Sequence, residues 1–425
     1  MFIASNILLS IATVLLLSGG IYFSYKLGFP QLKWKKLFKG FFINNELGIN
    51  PFKSLMLSLA ARIGVGSIAG IALAIYIGGA GTIFWIWIIG IITSINTYCE
   101  CYLGAKYQVC DKDGYKGGPF YYIERGLNNK KLAALYAIII IIAYIVGFMT
   151  IQANTITVSI NNYYHINPII IALVISIISF FSIIKGLKTV INITSKIVPI
   201  MGISYIILSC VVIIKNINIL PDIILYIIKS AFNFKSFSTG FLTTFIIGSK
   251  RGVFSTESGL GSSAIATSIT KVKNKVDLGL IQILGIYFTV FIICTSTALI
   301  ILTSNYKTII LDNINGIELT QYALNYHLGK YGSTILILAI IFLAYSTIVA
   351  GYYYGESSLK YLCDNKVCIF LLKIITVILL FLGSLTSADI LWKIVDILVE
   401  MLAIINMYTL FKLKEEIIFD YKNSK

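Results

Sequence analysis

Glycines interrupt the apolar stretch Ala60–Ile77 and make it the first candidate for chemistry in this chain. The stretch reads AARIGVGSIAGIALAIYI, with Gly64 and Gly66 on either side of one residue and Ser67 next. A glycine weakens an α-helix by about 1 kcal/mol relative to alanine, so we expect the helix to unwind there. Inside a bilayer, unwound backbone is tolerated only where it lines a cavity or is buried in protein. Secondary transporters form ion and substrate sites in such interrupted spans, and this segment predicts a similar site.

Polar residues in the stretch 132–160 could contribute to the same site. Gln152, Asn154 and Thr155 lie together there, and polar groups inside a bilayer are costly enough to mark function. They would either join helices through hydrogen bonds or line a pocket beside the interrupted span.

Two hydroxyl residues, Ser346 and Thr347, are adjacent in the stretch 332–362. Such hydroxyls often bond back to their own helix. Together with free carbonyls of the interrupted span, they would also supply oxygen ligands for a sodium ion. The sequence leaves both interpretations open.

Charged residues within apolar stretches leave two further alternatives. Arg62 either binds a carboxylate or has a structural role, such as pairing with Glu100 or Glu257, and we favour the structural role. Asp396 and Glu400 lie one helical turn apart. Two neighbouring carboxylates raise the alternative of proton coupling.

The sequence shows no cluster of titratable residues of the kind that enzymes use. His165 and His327 are its two histidines, and both are expected in solvated outside loops. The seven cysteines have no disulfide or zinc spacing, and we interpret Cys99 and Cys101 as packing residues. We therefore expect a protein that is not an enzyme.

Composition assigns the chain to the class of polytopic membrane proteins. Of its 425 residues 58% are hydrophobic and 12% are charged, and the mean hydropathy is +0.88. Soluble domains contain about 25% charged residues. A membrane span needs roughly 20 apolar residues, which predicts about eleven spans. They lie near 7–24, 54–77, 82–106, 132–160, 168–185, 193–215, 239–262, 278–303, 332–362, 367–383 and 389–412.

The distribution of basic residues predicts how the chain is oriented. The net charge is +16, and with the amino terminus outside, roughly 26 of the 34 Lys and Arg residues fall on the inner side. This asymmetry indicates a multi-pass protein of the cell membrane with a cytoplasmic carboxyl terminus. The positive charge is not the footprint of a nucleic-acid-binding protein.

The spans divide into two groups of five once the first is set aside. We expect an N-terminal span and cytoplasmic loop over 1–53, a first five-helix repeat over 54–215 and a second over 239–412. Residues 216–238 would form an extracellular connector with a short helix, and 413–425 a cytoplasmic tail. Because five is odd, two consecutive five-span units have opposite topologies, which permits an inverted repeat.

Several segments resemble the alanine or glycine:cation symporter family. These segments are GVGSIAGIALAI (64–75), GGAGTIFWIWIIG (78–90), GYKGGPFYYIERGL (114–127), GSKRGVFSTESGLGSSAIA (248–266) and GYYYGESSLKYL (351–362). The resemblance runs in order over about 350 residues, and the RGVFSTESGLGS block is highly specific. It implies an all-α fold of the leucine-transporter type, with a five-plus-five inverted repeat and one extra amino-terminal span. It also implies sodium-driven uptake of small neutral amino acids.

The chain departs from the family pattern at several positions. Ser67 and Thr256 stand where the family usually has Asn, and Gly351 stands where it usually has Trp. In the last span, VEMLAIIN (399–406) replaces NGLMAIPN. Exchanging Trp for Gly should widen a pocket if nothing else fills the space. We therefore predict a substrate that is bulkier than alanine or different from it.

The resemblance and the interrupted span together suggest a substrate site. Backbone N–H groups of the unwound turn would bind the amino acid's carboxylate, helped by the positive end of the following half-helix. The substrate-binding residues would be Gly64, Val65, Gly66, Ser67, Gln152 and Gly351. The RGVFSTESGLGS segment would act as a hinge or an inner gate.

A sodium ion would lie next to the substrate. Its expected ligands are the carbonyl groups of Ala60 and Ile63 and the hydroxyl groups of Ser346 and Thr347. Sodium bound there would favour the substrate-ready state, and linkage makes this coupling reciprocal. The alternatives are a proton-coupled amino-acid transporter, which would follow a pH gradient without sodium, and an amino-acid sensor that does not transport.

Overall fold

The protein is almost entirely helical in its computed structural model, which describes residues 2–42, 45–111, 114–232, 240–310 and 314–424. The helices, in chain order, are α1 (Phe2–Leu27), α2 (Trp34–Lys39), α3 (Pro51–Arg62), α4 (Ala69–Gly78), α5 (Gly81–Lys106), α6 (Pro119–Gly126), α7 (Lys130–Tyr164), α8 (Pro168–Ile184), α9 (Leu187–Lys215), α10 (Leu220–Ala231), α11 (Phe241–Thr256), α12 (Ser262–Thr267), α13 (Lys275–Leu302), α14 (Tyr306–Ile310), α15 (Gly316–Leu328), α16 (Tyr331–Leu362), α17 (Lys366–Leu385), α18 (Ala388–Lys412) and α19 (Lys414–Asn423).

Short strands and single turns connect some of these helices. Strand β1 (Asn45–Gly48) pairs antiparallel with β4 (Thr270–Val272), and β2 (Val109–Asp111) pairs with β3 (Gly114–Lys116). The β1–β4 pair joins the segment before α3 to the segment after α12. This pairing therefore links two segments that lie far apart in the sequence.

Eleven helical segments correspond to the eleven predicted spans. Within the described residues, eight helices are long and apolar enough to cross a membrane, and α3 with α4 forms a ninth span that is bent by 62°. The remaining two segments are α8, with 17 residues, and α11, with 16. The exact number of membrane crossings depends on these two shorter helices.

One predicted span differs from expectation, because the stretch 239–262 does not form one continuous helix. Its helix α11 begins at Phe241 and ends at Thr256, and α12 begins at Ser262. Between them, Glu257, Gly259 and Gly261 have positive φ angles, which an α-helix does not allow. The chain thus has a second interruption. Residues 233–238 of the predicted connector and residue 239 lie outside the described residues.

Asparagine side chains start five of the helices. Each accepts a hydrogen bond from a backbone N–H of the first helical turn, which would otherwise lack a partner. These residues are Asn50, Asn129, Asn167, Asn274 and Asn365, before α3, α7, α8, α13 and α17. Proline follows two of them, at Pro51 and Pro168, where its missing N–H costs nothing.

Small residues allow the helices around the two interruptions to pack closely. A Cβ atom on Gly104 of α5 would lie 2.8 Å from Ala264 of α12, and one on Gly147 of α7 would lie 3.1 Å from Val395 of α18. Small residues at contacts let the backbones of membrane helices approach one another. This packing buries both interruptions at the centre of the bundle.

Candidate functional site

The first interruption lies where the glycine cluster predicts it. Helix α3 ends at Arg62, Val65–Ser67 form a single 3₁₀ turn, and α4 begins at Ala69. All residues of the turn are buried. The carbonyls at the end of α3 and the N–H groups at the start of α4 therefore lie inside the protein, where they lack partners from a continuous helix.

Gly64 is the point at which two other helices reach this turn. A Cβ atom there would lie 2.5 Å from the Thr347 hydroxyl oxygen of α16 and 2.8 Å from Gln152 Oε1 of α7. A side chain at this position is therefore excluded by close approach. Thr347 and Gln152, two of the predicted site residues, thus both lie next to Gly64, which is a third.

Gln152 binds the unwound backbone directly. The Val65 N–H donates a hydrogen bond to Gln152 Oε1 at 2.9 Å. The side-chain oxygen occupies the kind of position that a carboxylate oxygen takes at the start of a helix. This N–H therefore donates to an oxygen of another helix.

Hydroxyl groups from neighbouring helices bind the carbonyls of the same turn. Thr297 of α13 donates to the Ser67 carbonyl at 2.9 Å, and Ser255 of α11 donates to the Gly66 carbonyl at 3.3 Å. Ser67 itself donates to the Gly64 carbonyl at 2.9 Å. Thr297 and Ser255 were not predicted from the sequence, because a hydroxyl residue within a span resembles an ordinary helix-bonded hydroxyl.

Thr347 reaches the end of α3 and is the best-placed of the predicted sodium ligands. Its hydroxyl donates to the Ala60 carbonyl at 2.7 Å and lies 3.1 Å from the Leu343 carbonyl. Ser346 instead donates to the Leu343 carbonyl at 2.8 Å and lies 3.7 Å from the sulfur of Met201. Hydroxyl and carbonyl oxygens at a helix end are a donor set that suits a sodium ion.

Gly351 lies one helical turn beyond Thr347 on the same face of α16. A Cβ atom there would lie 3.2 Å from Met149 Cγ and 3.4 Å from the Tyr144 ring, both on α7. These side chains occupy the space next to the glycine. Because methionine is unbranched and flexible, this side of the site can adapt to differently shaped groups.

Aromatic rings cover the turn on its other side. Phe254 stacks on Phe148 with ring centroids 4.9 Å apart, and it meets Trp392 edge-on at the same distance. A Cβ atom on Gly66 would overlap the Phe254 ring. Phe254 belongs to the RGVFSTESGLGS motif, and this position in the motif was the available signal for its role.

Buried polar groups hold the second interruption in place. Glu100 Oε2 accepts hydrogen bonds from the Gly261 N–H at 2.8 Å and from Asn406 Nδ2 at 3.1 Å. Glu257 Oε2 accepts from the Tyr144 hydroxyl at 2.7 Å and from Ser262 at 2.8 Å. Two acids and an amide thus fasten the RGVFSTESGLGS segment.

Arg62 connects the two interruptions. Its guanidinium donates to the Ser263 hydroxyl and to the Gln282 carbonyl, the latter at 3.3 Å. Glu100 and Glu257 lie within electrostatic range of it. Arg62 thus has a structural role. Its hydrogen-bond partners are the neutral oxygens of Ser263 and Gln282.

Asp396 and Glu400 have different surroundings although they lie one turn apart on α18. Asp396 Oδ2 lies 2.7 Å from Arg251 Nη2 and 3.1 Å from Lys250 Nζ. Glu400 is 4% exposed, and neither of its carboxyl oxygens has a hydrogen-bond partner among the described residues. Asp396 is therefore ion-paired with two basic side chains, whereas Glu400 has no hydrogen-bond partner among the described residues.

A cavity of about 220 Å³ leads towards the site from the end of the bundle that contains α15. Asn154 and Thr155 line it together with Trp392. Asn154 also donates to the Thr386 carbonyl at 2.6 Å. This residue thus both joins helices and borders a cavity, which were the two alternatives for the polar group on α7.

The two histidines differ from each other. His165 is exposed at the end of α7, as expected. His327 lies near the end of α15, with its Nε2 3.0 Å from the Thr303 hydroxyl and 3.1 Å from the Ile300 carbonyl. The expectation of a solvated loop was therefore wrong for His327, because α15 packs against the bundle. The described residues include no group of three or more His, Cys, Asp and Glu side chains that could hold a metal ion.

The sequence is similar to known transporters over its whole length. A family model described as the sodium:alanine symporter family matches residues 2–425. GlnT of Bacillus subtilis, described as a probable sodium/glutamine symporter, is 35% identical over 434 residues, which cover 100% of this chain and 90% of GlnT. The sodium/alanine symporter AgcS of Methanococcus maripaludis is 33% identical, covering 96% of this chain and 93% of AgcS. The sodium/proton-dependent alanine carrier protein of Bacillus sp. strain PS3 is 30% identical, covering 87% and 86%.

Solved structures with low sequence identity share the fold. A crystal structure of MhsT in complex with L-phenylalanine aligns with a TM-score of 0.60 at 12% identity, covering 90% of this chain and all of MhsT. A sodium-coupled sialic acid symporter aligns with a TM-score of 0.55 at 12% identity, covering 97% of this chain and 82% of that chain. The leucine-transporter type of fold that the sequence predicts is thus confirmed.

Proposed function

This chain belongs to the sodium:alanine symporter family, and we propose that it carries small neutral amino acids into the cell together with sodium. The observation that carries the proposal is the meeting of two groups at Gly64. Thr347, expected to bind the ion, and Gln152, expected to bind the substrate, both lie within contact distance of this one residue. Binding of either ligand would therefore change the surroundings of the other.

The substrate's carboxylate would bind the N–H groups of the turn Gly64–Ser67. In the structure, the Val65 N–H donates to Gln152 Oε1. In the proposed bound state, this N–H donates to a carboxylate oxygen of the substrate instead. The released Gln152 amide can then donate to the same carboxylate. The positive end of α4 favours the negative charge.

One sodium ion would bind between α3 and α16. The proposed ligands are the Ala60 and Ile63 carbonyls and the Thr347 and Ser346 hydroxyls. Thr347 already lies against the Ala60 carbonyl, whereas Ser346 has to turn from Leu343 towards the ion. The ion is cargo as well as ligand, because its gradient drives the transport cycle.

The amino acid is proposed to be larger than alanine. Gly351 lacks the large side chain that the family usually has there. Met149 and the Tyr144 ring occupy the adjacent space, but the flexible Met149 would move aside for a larger substrate. Glutamine fits this expectation and corresponds to the described substrate of GlnT. The chain belongs to a family of transporters, so we propose transport without catalysis.

The arrangement in the membrane follows from the charge distribution. We propose two inverted repeats of five helices, 54–215 and 239–412, with the amino terminus outside and the carboxyl terminus in the cytoplasm. The cell membrane is the proposed location, since the basic loops would face the cytoplasm.

Equilibrium binding tests the site independently of transport. Purified protein should bind labelled glutamine more tightly in high sodium than in low sodium. Gln152→Leu should weaken binding roughly 10- to 100-fold, because a hydrogen bond to a charged group contributes about 1.5–3 kcal/mol. Gln321→Leu removes a buried amide that donates to the Ser159 carbonyl elsewhere in the bundle, and it should bind as the unaltered protein does. Equal loss in both variants would remove Gln152 from the proposed site.

Proton coupling is a second candidate function, and Glu400 is the observation that favours it. Glu400 is buried and has no hydrogen-bond partner among the described residues, and a relative is described as a sodium/proton-dependent alanine carrier. Asp396 is less suited to this role because Lys250 and Arg251 already neutralise it. If protons are carried, Glu400→Gln should abolish uptake driven by a pH gradient and preserve uptake driven by sodium.

A further inference from the structure

An apolar groove opens on the side of the helix bundle, away from the proposed transport site. Its volume is about 820 Å³, within the range of small-molecule pockets. Three helices form its walls, and the residues that define it are Leu55 and Leu59 of α3, Gly202 and Ile203 of α9, and Phe288 and Phe291 of α13. Gly202 makes the groove concave, since a Cβ atom there would lie 3.2 Å from the Phe288 ring.

Gln31 fastens the segment that borders the groove. It lines the groove and is 2% exposed. Its Nε2 donates to the Ser24 hydroxyl, and its backbone carbonyl accepts from the Tyr287 hydroxyl at 3.0 Å. These bonds hold the segment before α2, and with it the rim of the groove, against α1 and α13.

Aromatic rings form the rim of the groove. The Trp34 ring lies 5.5 Å from the Tyr287 ring and 6.5 Å from the Phe38 ring, and Phe38 lies 6.0 Å from Phe41. Trp34, Phe38 and Phe41 are all exposed. Trp and Tyr side chains, here Trp34 and Tyr287, concentrate at the boundary between hydrocarbon and headgroups. The rim therefore marks the level of the lipid headgroups.

The same rim is strongly basic. Between Leu32 and Phe42 the chain has four lysines and no acidic residue. Lys39 lies 3.5 Å from Asp277, and Lys36 lies over the Tyr421 ring. Lys33 and Lys35 are exposed next to the aromatic rim. Such lysines attract anionic lipids, each by roughly a fivefold gain in binding.

We propose that this groove is a binding site for an anionic phospholipid, such as phosphatidylglycerol. One acyl chain lies between α3, α9 and α13. The phosphate lies near Lys33 and Lys35. The groove lies against α3, so the bound lipid contacts the half-helix that ends next to the proposed sodium site.

Native mass spectrometry of the full chain in detergent tests this proposal without measuring transport. Phosphatidylglycerol and phosphatidylcholine with identical acyl chains are added separately. Ile203→Trp fills the groove, and Ile207→Trp is the matched control on the same helix. The two isoleucines are 58% and 59% exposed, but Ile207 does not line the groove.

The expected result is one saturable phosphatidylglycerol molecule on the unaltered protein and on Ile207→Trp, with little phosphatidylcholine. Ile203→Trp should lose this lipid, and Lys33→Gln with Lys35→Gln should lower its occupancy roughly tenfold or more. Equal adducts of both lipids on all variants would overturn the site. Loss of both lipids in Ile203→Trp, without preference between them, would overturn the proposed headgroup recognition. Because lipid binding is measured directly, failure here leaves the proposed transport function unaffected.

Discussion

Gln152 and Thr347 reach Gly64 from different helices, and both could be predicted as site residues because they are polar in apolar stretches. Their contacts with the turn could not be predicted, since they depend on how α7 and α16 pack. Phe254 was not predicted as a site residue, because an aromatic residue in a span resembles an ordinary core residue. Its role is visible only in the structure, where its ring packs against Gly66.

Thr347→Ala tests the proposed sodium ligand. Removing the hydroxyl takes one oxygen from the site, and we expect the sodium concentration for half-maximal uptake to rise roughly tenfold, equivalent to about 1.4 kcal/mol. Uptake measured in liposomes over a range of sodium concentrations gives this value. Thr376→Ala is the control, since Thr376 is also buried but bonds only to the Leu372 carbonyl of its own helix α17. An unchanged sodium dependence in Thr347→Ala would exclude this residue from the site.

At the scale of elements, the two interruptions of the helices are joined by a hydrogen bond. The break between α3 and α4 was predictable because its glycines lie within an apolar stretch. The break between α11 and α12 was not predictable, because Gly259 and Gly261 lie at the polar end of the apolar stretch 239–262. Only the structure shows that Arg62, at the end of α3, bonds to Ser263 at the start of α12.

Gly66→Ala tests whether close contact between the interrupted elements is required. The new methyl group would overlap the Phe254 ring of α11, and such overpacking costs about 1–3 kcal/mol. If this cost falls on the transport-competent state, we expect uptake to drop roughly 5- to 150-fold. Gly252→Ala is the control on α11, where a methyl group would have its nearest neighbour at 3.5 Å and should be tolerated. Full uptake by Gly66→Ala would show that the turn and Phe254 can separate freely.

The packing of α15 makes a prediction about pH. Burial lowers the pKa of His327 below its ordinary value of about 6.5, although its hydrogen bond with the Ile300 carbonyl opposes this effect. The unfolded chain then binds a proton more readily than the folded protein does. The stability contributed by neutral His327 is therefore complete above about pH 6.5 and is lost as the pH falls through the lowered pKa.

Thermal unfolding of detergent-solubilised protein between pH 7.5 and 5 measures this effect. The midpoint temperature of the unaltered protein should fall with pH, and His327→Gln should reduce that fall. His165→Gln, which alters the exposed histidine, should behave as the unaltered protein does. Identical pH dependence in all three proteins would show that His327 does not contribute.

At the scale of the whole molecule, composition and charge were sufficient to predict a polytopic membrane protein, and the motifs predicted its fold. What they could not predict is which polar residues of the bundle share one site. Arg62 illustrates this point. Glu100 and Glu257 were expected as its partners, but its hydrogen bonds go to Ser263 and to the Gln282 carbonyl. That arrangement depends on the folding of the two halves against each other.

Uptake by purified protein in liposomes tests the central claim most directly. Labelled alanine, glycine and glutamine are supplied with an inward sodium gradient, with an inward proton gradient and with neither. The account predicts accumulation that requires the sodium gradient, with glutamine carried better than glycine. Accumulation that follows the proton gradient alone, or no accumulation under either gradient, would contradict sodium-coupled symport.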